Sequence, residues 1–255
     1  MTTTHKNKKE GNMNRILILA TLGIAAASTQ TANAIPLSDN LELLTNIGMY
    51  SEYAMRGISF SQRKPVLQGY ATLAHSNGMY AGVLGSNVDF GDNVDASYEA
   101  DYYVGYMWQA TDNVSLDLGY IKYTYPRTSS LNASETYAVL KAYNFKLGTY
   151  YSGDYYGHQS YMYNYIGYTR RLVLETTLDL RYGFADYKDP KFVSANGSTE
   201  DSYREWEVKL TKGAFNVDWS VSYIDTNLSE SECLSNIGDQ ESCSARLLFS
   251  VSKTF

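Results

Sequence analysis

From Leu41 to its last residue the chain keeps returning to one form: roughly ten residues of alternating apolar and polar side chains, then a polar break. In VSLDLGYIKYTY, Val114, Leu116, Leu118 and Tyr120 share one face, and Ser115, Asp117 and Gly119 the other. FNVDWSVSY sets Phe215, Val217, Trp219, Val221 and Tyr223 against Asn216, Asp218, Ser220 and Ser222. VLETTLDLRYGF sets Leu174, Thr176, Leu178, Leu180, Tyr182 and Phe184 against Glu175, Asp179 and Arg181. A period of two belongs to the β-strand, whose successive side chains point to opposite faces. The pattern predicts twelve strands, near 43–58, 65–76, 79–90, 97–110, 114–125, 136–144, 147–153, 160–169, 173–187, 202–211, 215–226 and 245–255. The stretch 136–158 does not say which face is outward, so ten or fourteen strands remain compatible.

The breaks alternate in length. Asn77-Gly78, Thr111-Asp112-Asn113, the region of Asn144, Arg170-Arg171 and Lys212-Gly213 are tight. FSQRK, GDNVDA, PRTSSLNAS, GDYYGHQ, KDPKFVSANGSTED and the cysteine loop are mostly longer and polar. Short turns at one end and long loops at the other mark an all-β, antiparallel transmembrane barrel. A soluble β-sandwich also alternates. Two features favour the barrel. Aromatics cluster at segment ends on the apolar face (Trp108, Tyr182, Phe184, Phe215, Tyr223), as interfacial girdles do. The polar face is rich in Gly, Ser and Asn, where a solvent-facing surface would carry more charge.

The N-terminus places the chain. Arg15 precedes an apolar run, Ile16 to Ala27, and the segment closes on Ala32-Asn33-Ala34. That is a secretory signal with a cleavage site, and the run is shorter than the ~20 residues a transmembrane helix needs. The expected division is a signal peptide over 1–34, with Met13 a second candidate start, and one barrel domain over 35–255. Removing the leader takes away four basic residues and one acidic one, so the formal charge moves from −6 to −9. An acidic chain argues against nucleic acid as a partner. All 25 tyrosines lie in the mature chain, beside 8 Phe and 3 Trp, and Tyr suits strands and membrane interfaces. The two cysteines, Cys233 and Cys243, flank a polar stretch in an exported protein, which predicts a disulfide closing a loop.

The chain ends on alternating Leu247, Phe249, Val251, Lys253 and Phe255. A terminal strand of this kind is expected to be read by the barrel-assembly machinery through strand addition. Lys253 departs from the apolar series, but near a rim its ammonium reaches water at small cost.

SEYAMRGISFS followed by PVLQGYATLAHSNGMYAGVLGSNVDF resembles a group of small proteobacterial porin-type proteins, the Gcw_chp or TorF-like family. Its Y-x-x-R-G-[IV]-S run is matched by Tyr53, Arg56, Gly57, Ile58 and Ser59. Its G-x-Y-x-G…S-N-V run is matched by Gly78, Tyr80, Gly82, Ser86, Asn87 and Val88, and a Tyr-Pro pair by Tyr125-Pro126. The resemblance implies a barrel in the outer membrane of a Gram-negative cell, in contact with its lipid, and a pore for small solutes or ions.

With the apolar registers facing lipid, the inward set includes Glu52, Arg56, Asp89, Glu99, Asp101, Asp117, Glu175, Asp179, Arg181, Glu205, Glu207, Lys209, Asp218 and Arg246. Acids outnumber bases, which predicts a narrow, weakly cation-preferring channel. The alternative is that these charges pair, Arg56 with Glu52 and Arg181 with Asp179, and plug the lumen, leaving a surface binding or structural role. Gly57 suits a tight bend, and Arg56 a constriction. An enzyme is the rival class. It needs a nucleophile–base pair or metal cluster, and His75 and His158 are predicted at opposite ends of the barrel. The tyrosines of YYSGDYYGHQSYMYNY are expected in the girdle at the long-loop end. No cofactor, metal or nucleic-acid motif is present in the sequence, and no enzymatic activity is expected.

Overall fold

The computed structural model describes residues 34–92, 94–155 and 159–255, so the leader, Met13 and His158 lie outside the described residues. The alternating segments form twelve antiparallel strands: β1 (Leu41–Tyr50), β2 (Val66–His75), β3 (Met79–Asn87), β4 (Tyr98–Thr111), β5 (Val114–Thr124), β6 (Ala133–Ala142), β7 (Phe145–Tyr155), β8 (Gln159–Arg171), β9 (Thr176–Tyr187), β10 (Ser202–Ala214), β11 (Val217–Thr226) and β12 (Arg246–Thr254). Each pairs with its chain neighbours, and β12 pairs back onto β1, from Ser250 opposite Tyr50 to Thr254 opposite Asn46. The sheet is a closed barrel, which leaves no ladder edge for the hydrocarbon to meet. A short strand, Ile35–Ser38, lies against Leu41–Leu43 of β1, just past the end of β12.

The period of two now has a physical meaning. Leu118 and Tyr120 of β5 point out and are exposed, whereas Ser115 and Asp117 point in and are buried. Outward aromatics gather near both ends, with Trp108, Phe145 and Trp219 towards the tight turns and Tyr98, Tyr151, Phe184 and Tyr223 towards the long loops. The stretch of ambiguous face resolves with Phe145, Leu147 and Tyr151 outward and Lys146, Tyr150 and Ser152 inward. Many inward tyrosines lie over a glycine of the adjacent strand. A Cβ on Gly105 would strike the Tyr80 ring, and one on Gly119 the Tyr137 ring. This pairing explains the joint excess of Tyr and Gly.

Several expectations shift. The turns expected at Arg170-Arg171 and Lys212-Gly213 fall three or more residues later, where Leu174 and Glu175 (φ 57 and 55) and Phe215 and Asn216 (φ 56 and 60) adopt the left-handed conformation of tight hairpins. Arg170, Arg171, Lys212 and Gly213 stay in the ladder. Leu174 and Phe215 therefore lie in exposed turns, not on the lipid face. Glu175 sits beside Leu174 in that turn, outside the lumen. Asp89 lies beyond the end of β3 in the following loop, where it accepts from the Lys64 ammonium at 2.5 Å. That contact holds its carboxyl below the ordinary value.

The expected first strand, 43–58, ends at Tyr50, and the chain then turns inward. The loop joining β11 to β12 carries α1 (Glu230–Ile237), capped by Ser229 and stapled by the Cys233–Cys243 disulfide (Cα–Cα 5.8 Å). No helix among the described residues is long and apolar enough to cross a membrane.

Candidate functional site: the barrel lumen

The loop between β1 and β2 enters the barrel. Ala54-Met55 pair with Ile58-Ser59 as a miniature hairpin, and its two-residue tip, Arg56 (φ 51) and Gly57 (φ 85), has the double positive φ of a I′ turn. The geometry explains the R-G order: the second tip position presses on Glu205 and Thr226, where a Cβ would collide. The serines that follow tie the loop to itself. Ser61 Oγ accepts from Tyr53 N–H at 3.0 Å and donates to the Lys64 carbonyl at 2.8 Å.

Arg56 crosses from the β1–β2 side to the opposite wall. Its guanidinium donates two hydrogen bonds to Glu135 of β6, at 2.7 and 2.8 Å, and lies over the rings of Tyr150, Tyr161 and Tyr163 at 4.5–5.3 Å. Both charges are buried, Glu135 completely. Tyr203 Oη donates to the Arg56 carbonyl at 2.9 Å, and Arg246 Nη1 donates to the Gly57 carbonyl at 3.1 Å. The hairpin is thus held from β6, β10 and β12 together. The expected pairing of Arg56 with Glu52 is replaced, since Glu52 instead accepts from Arg246 Nε at 2.7 Å.

The remaining inward residues form further networks. Glu99 accepts from Tyr53 at 2.7 Å and from Tyr125. Asp117 accepts from Tyr80 at 2.6 Å, and Tyr80 shares a 2.5 Å hydrogen bond with Tyr137. Arg181 pairs with Glu205 (2.8 Å) and Glu207 (3.1 Å), not with Asp179. Asp179 accepts from Thr169 at 2.6 Å, stands 3.8 Å from Lys146, and faces Lys209 in register. Asp218 is buried opposite Gly213 and Ser252. The predicted inward residues are therefore gathered in the lumen, except Asp89 and Glu175. On the outer face of β12, Leu247, Phe249 and the terminal Phe255 are exposed, Val251 is half-buried, and the Lys253 ammonium lies 4.9 Å from the Phe255 ring.

Sequence reasoning missed Glu135, Lys141 and Lys146. All three fall where apolar residues occupy both faces. The signal that would have found them is the tight turn at Tyr143, because its register sets Lys146 opposite Lys141 and fixes the inward face of both strands. Of the tyrosines expected in the girdle, Tyr151 faces outward near the long loops and Tyr156 lies outside the described residues, but Tyr150, Tyr161 and Tyr163 are buried in the lumen, where they cover Arg56.

Beneath the hairpin lies a cavity of about 160 Å³. It is walled by Tyr faces and by charges of both signs, among them Glu52, Asp101, Asp179, Arg181 and Lys209. Asp101 Oδ1, Glu52 Oε2 and Asp179 Oδ2 are enclosed with no protein donor in reach. His75 lies exposed beside the Asn77 turn, away from these networks. No group of three or more metal-ligating side chains occurs among the described residues.

The fold is similar to solved outer-membrane porins. The NanC porin aligns at TM-score 0.51 and 12% identity, over 83% of this chain and 98% of that one. The KdgM porin aligns at 0.48 and 12%, over 83% and 99%. The outer membrane protein OprD from Pseudomonas aeruginosa aligns at 0.39 and 12%, over 87% and 66%. At this identity the likeness to NanC is one of fold. No curated protein matches the sequence. A family profile described as a bacterial protein of unknown function matches residues 35–255.

Proposed function

The chain belongs to that family, Gcw_chp, and from this premise we propose that it is an outer-membrane channel for small hydrophilic solutes or ions, constricted by its inward hairpin. The carrying observation is the charged cavity left open beneath Arg56, in a barrel whose outer face is apolar. An apolar plug would have filled that space, whereas polar walls suit hydrated passage. Nine inward acids (Glu52, Glu99, Asp101, Asp117, Glu135, Asp179, Glu205, Glu207, Asp218) face six bases (Arg56, Arg181, Arg246, Lys141, Lys146, Lys209), which supports a weak cation preference. In this reading the leader is removed after Ala34, the outward apolar belt contacts membrane lipid, and the terminal strand through Phe255 is read by the assembly machinery.

Planar-bilayer conductance of the refolded mature chain, under a salt gradient, tests the reading. Discrete steps with a cation-leaning reversal potential are expected, and anion preference overturns the selectivity. A second reading, a closed barrel with a surface binding or structural role, is favoured by the ion pairs that pin the hairpin. Silence from a protein shown to be folded, in wild type and in Arg56→Ala alike, would establish it.

A further inference from the structure

Of the large apolar side chains among the described residues, the four most exposed are Phe215 (93%), Tyr143 and Val173 (79% each) and Leu174 (77%). All four lie in three consecutive tight turns, between β6 and β7, β8 and β9, and β10 and β11. The turns at Asn77-Gly78 and Asp112-Asn113 carry polar, turn-favouring residues instead. Tyr143, Leu174 and Phe215 also hold φ values of 55, 57 and 56, a region that bulky residues avoid and Gly or Asn adopt readily. Chain reversal alone would favour those smaller residues, so the apolar bulk at these tips answers to something outside the chain. Just inside the tips, the outward register carries positive charge. Arg170 continues the exposed series of Met162 and Ile166 on β8, and Lys212 that of Val208 and Leu210 on β10. Lys212 stands opposite the exposed Trp219 on one side and opposite Thr176, two residues past Leu174, on the other. The one acid in the three turns is Glu175.

We infer that this arc of the tight-turn rim, from β6 to β11, is a binding surface for anionic phospholipids of the leaflet it faces. Arg170 and Lys212 take the phosphates and Trp219 lies at the acyl boundary. The tips occupy the headgroup layer, where apolar and basic side chains are stabilised together. Two observations favour lipid over a second copy of the chain. The basic positions continue the lipid-facing wall itself, and successive tips stand roughly 10 Å apart, two strand spacings, on a curved rim. A fluid layer closes around such separate knobs, whereas a stable protein interface needs a large contiguous face. The arc draws the barrel deeper into the leaflet on this side than on the side of Asp112, so the barrel axis tilts. The inference goes beyond the channel reading and needs only its bilayer placement, not conduction.

The test uses the full mature barrel in nanodiscs of phosphatidylcholine mixed with phosphatidylglycerol. Native mass spectrometry after release reads which lipids stay bound and how many copies of the chain are present. Phosphatidylglycerol is expected to be retained preferentially on a single chain. Its ratio to retained phosphatidylcholine should fall about fivefold in Arg170→Gln or Lys212→Gln, the size of one interfacial charge. Depth is read by bromolipid quenching of one tryptophan in a barrel whose native tryptophans are replaced by phenylalanine. Leu174→Trp is expected to be quenched and Asp112→Trp, on the polar half of the rim, is not. Folding of each variant is checked by heat-modifiable gel mobility, and Phe215→Trp replaces Leu174→Trp if the latter fails it. Equal retention of the two lipids, retention unchanged in both folded charge variants, or equal quenching at the two tips overturns the inference and leaves the channel reading intact. A dimer that Phe215→Asn dissolves assigns the arc to a second copy and overturns it as well. A barrel that never conducts but retains phosphatidylglycerol through Arg170 and Lys212 supports the inference and removes the channel reading.

Discussion

Replacing Arg56 with alanine removes the one side chain that ties the hairpin to the far wall. Two hydrogen bonds at 2.7 and 2.8 Å are lost, together with ring contacts at 4.5–5.3 Å, and among the described residues Glu135 keeps the Tyr123 hydroxyl at 2.9 Å. Removing one member of a buried pair costs about 3–5 kcal/mol, mostly because the other charge is left uncompensated. Displacing the hairpin lets water reach Glu135, so this penalty falls on the closed arrangement. At about 1.4 kcal/mol per tenfold, the displaced population rises roughly 10²- to 4 × 10³-fold. The assay is single-channel recording of wild type, Arg56→Ala and Arg56→Lys in the same lipid. Arg56→Ala is expected to show larger or far longer openings. Arg56→Lys, which keeps the charge but not the paired fork, should fall between. A folded Arg56→Ala barrel with conductance and gating identical to wild type would refute the assignment of Arg56–Glu135 as the latch.

Other expectations follow from neighbouring features. Tyr203→Phe deletes one bond to the hairpin backbone and should move the same recordings in the same direction by about 1 kcal/mol; a shift as large as that of Arg56→Ala would mean that Tyr203 is the principal tie. Leu118→Arg, on the outer face of β5, should destabilise the barrel in lipid by about 2–4 kcal/mol if it lies near the midplane, and a neutral result in urea unfolding would contradict the lipid-facing assignment. Reducing the Cys233–Cys243 bridge frees a ten-residue separation worth about 3 kcal/mol of local restraint. Proteolysis within 229–243 should accelerate while the barrel's own melting stays unmoved. Burial lowers the Lys191 pKa to about 8. Between that value and its ordinary 10.5 the unfolded chain binds more protons, so stability should rise with pH across this window and not below it. Carbon-13 titration of the dimethylated amine checks the midpoint, and a value near 10 would count against its burial.

The closed all-β architecture was legible because one period governs every strand and because loop lengths alternate. What the pattern could not set was the exact position of turns that use ordinary residues. Leu174-Glu175 and Phe215-Asn216 carry no glycine or proline, so apolar residues destined for turns read as strand. The inward charges were legible wherever the outer face was unambiguously apolar. Their partners were not, because Arg56 meets Glu135 across the barrel's width and 79 residues away in sequence. Local proximity suggested Glu52 for Arg56 and Asp179 for Arg181. Strand pairing brings Glu207 beside Arg181 with Glu205 two residues along the same strand, and inward folding carries Arg56 past its neighbour. Tyr150, Tyr161 and Tyr163 were misassigned for a related reason. An amphipathic ring suits both an interface and a polar lumen, and only the register says which it occupies.

The seam between β12 and β1 has a consequence for how the molecule comes into being. Its register runs for five residues, against seven to eleven in the other ladders, and it joins positions about two hundred residues apart. Ladders between chain neighbours are local and form early, whereas this one closes a loop spanning the whole barrel. The ring is therefore sealed last, when β12 meets β1. Phe255 exchanges backbone hydrogen bonds with Thr45, and the strand Ile35–Ser38 covers the stretch of β1 that β12 leaves unpaired. A chain lacking Arg246–Thr254 would lose β12 and expose two unsatisfied edges at once. Formation of β12 thus acts as the checkpoint on closure of the ring.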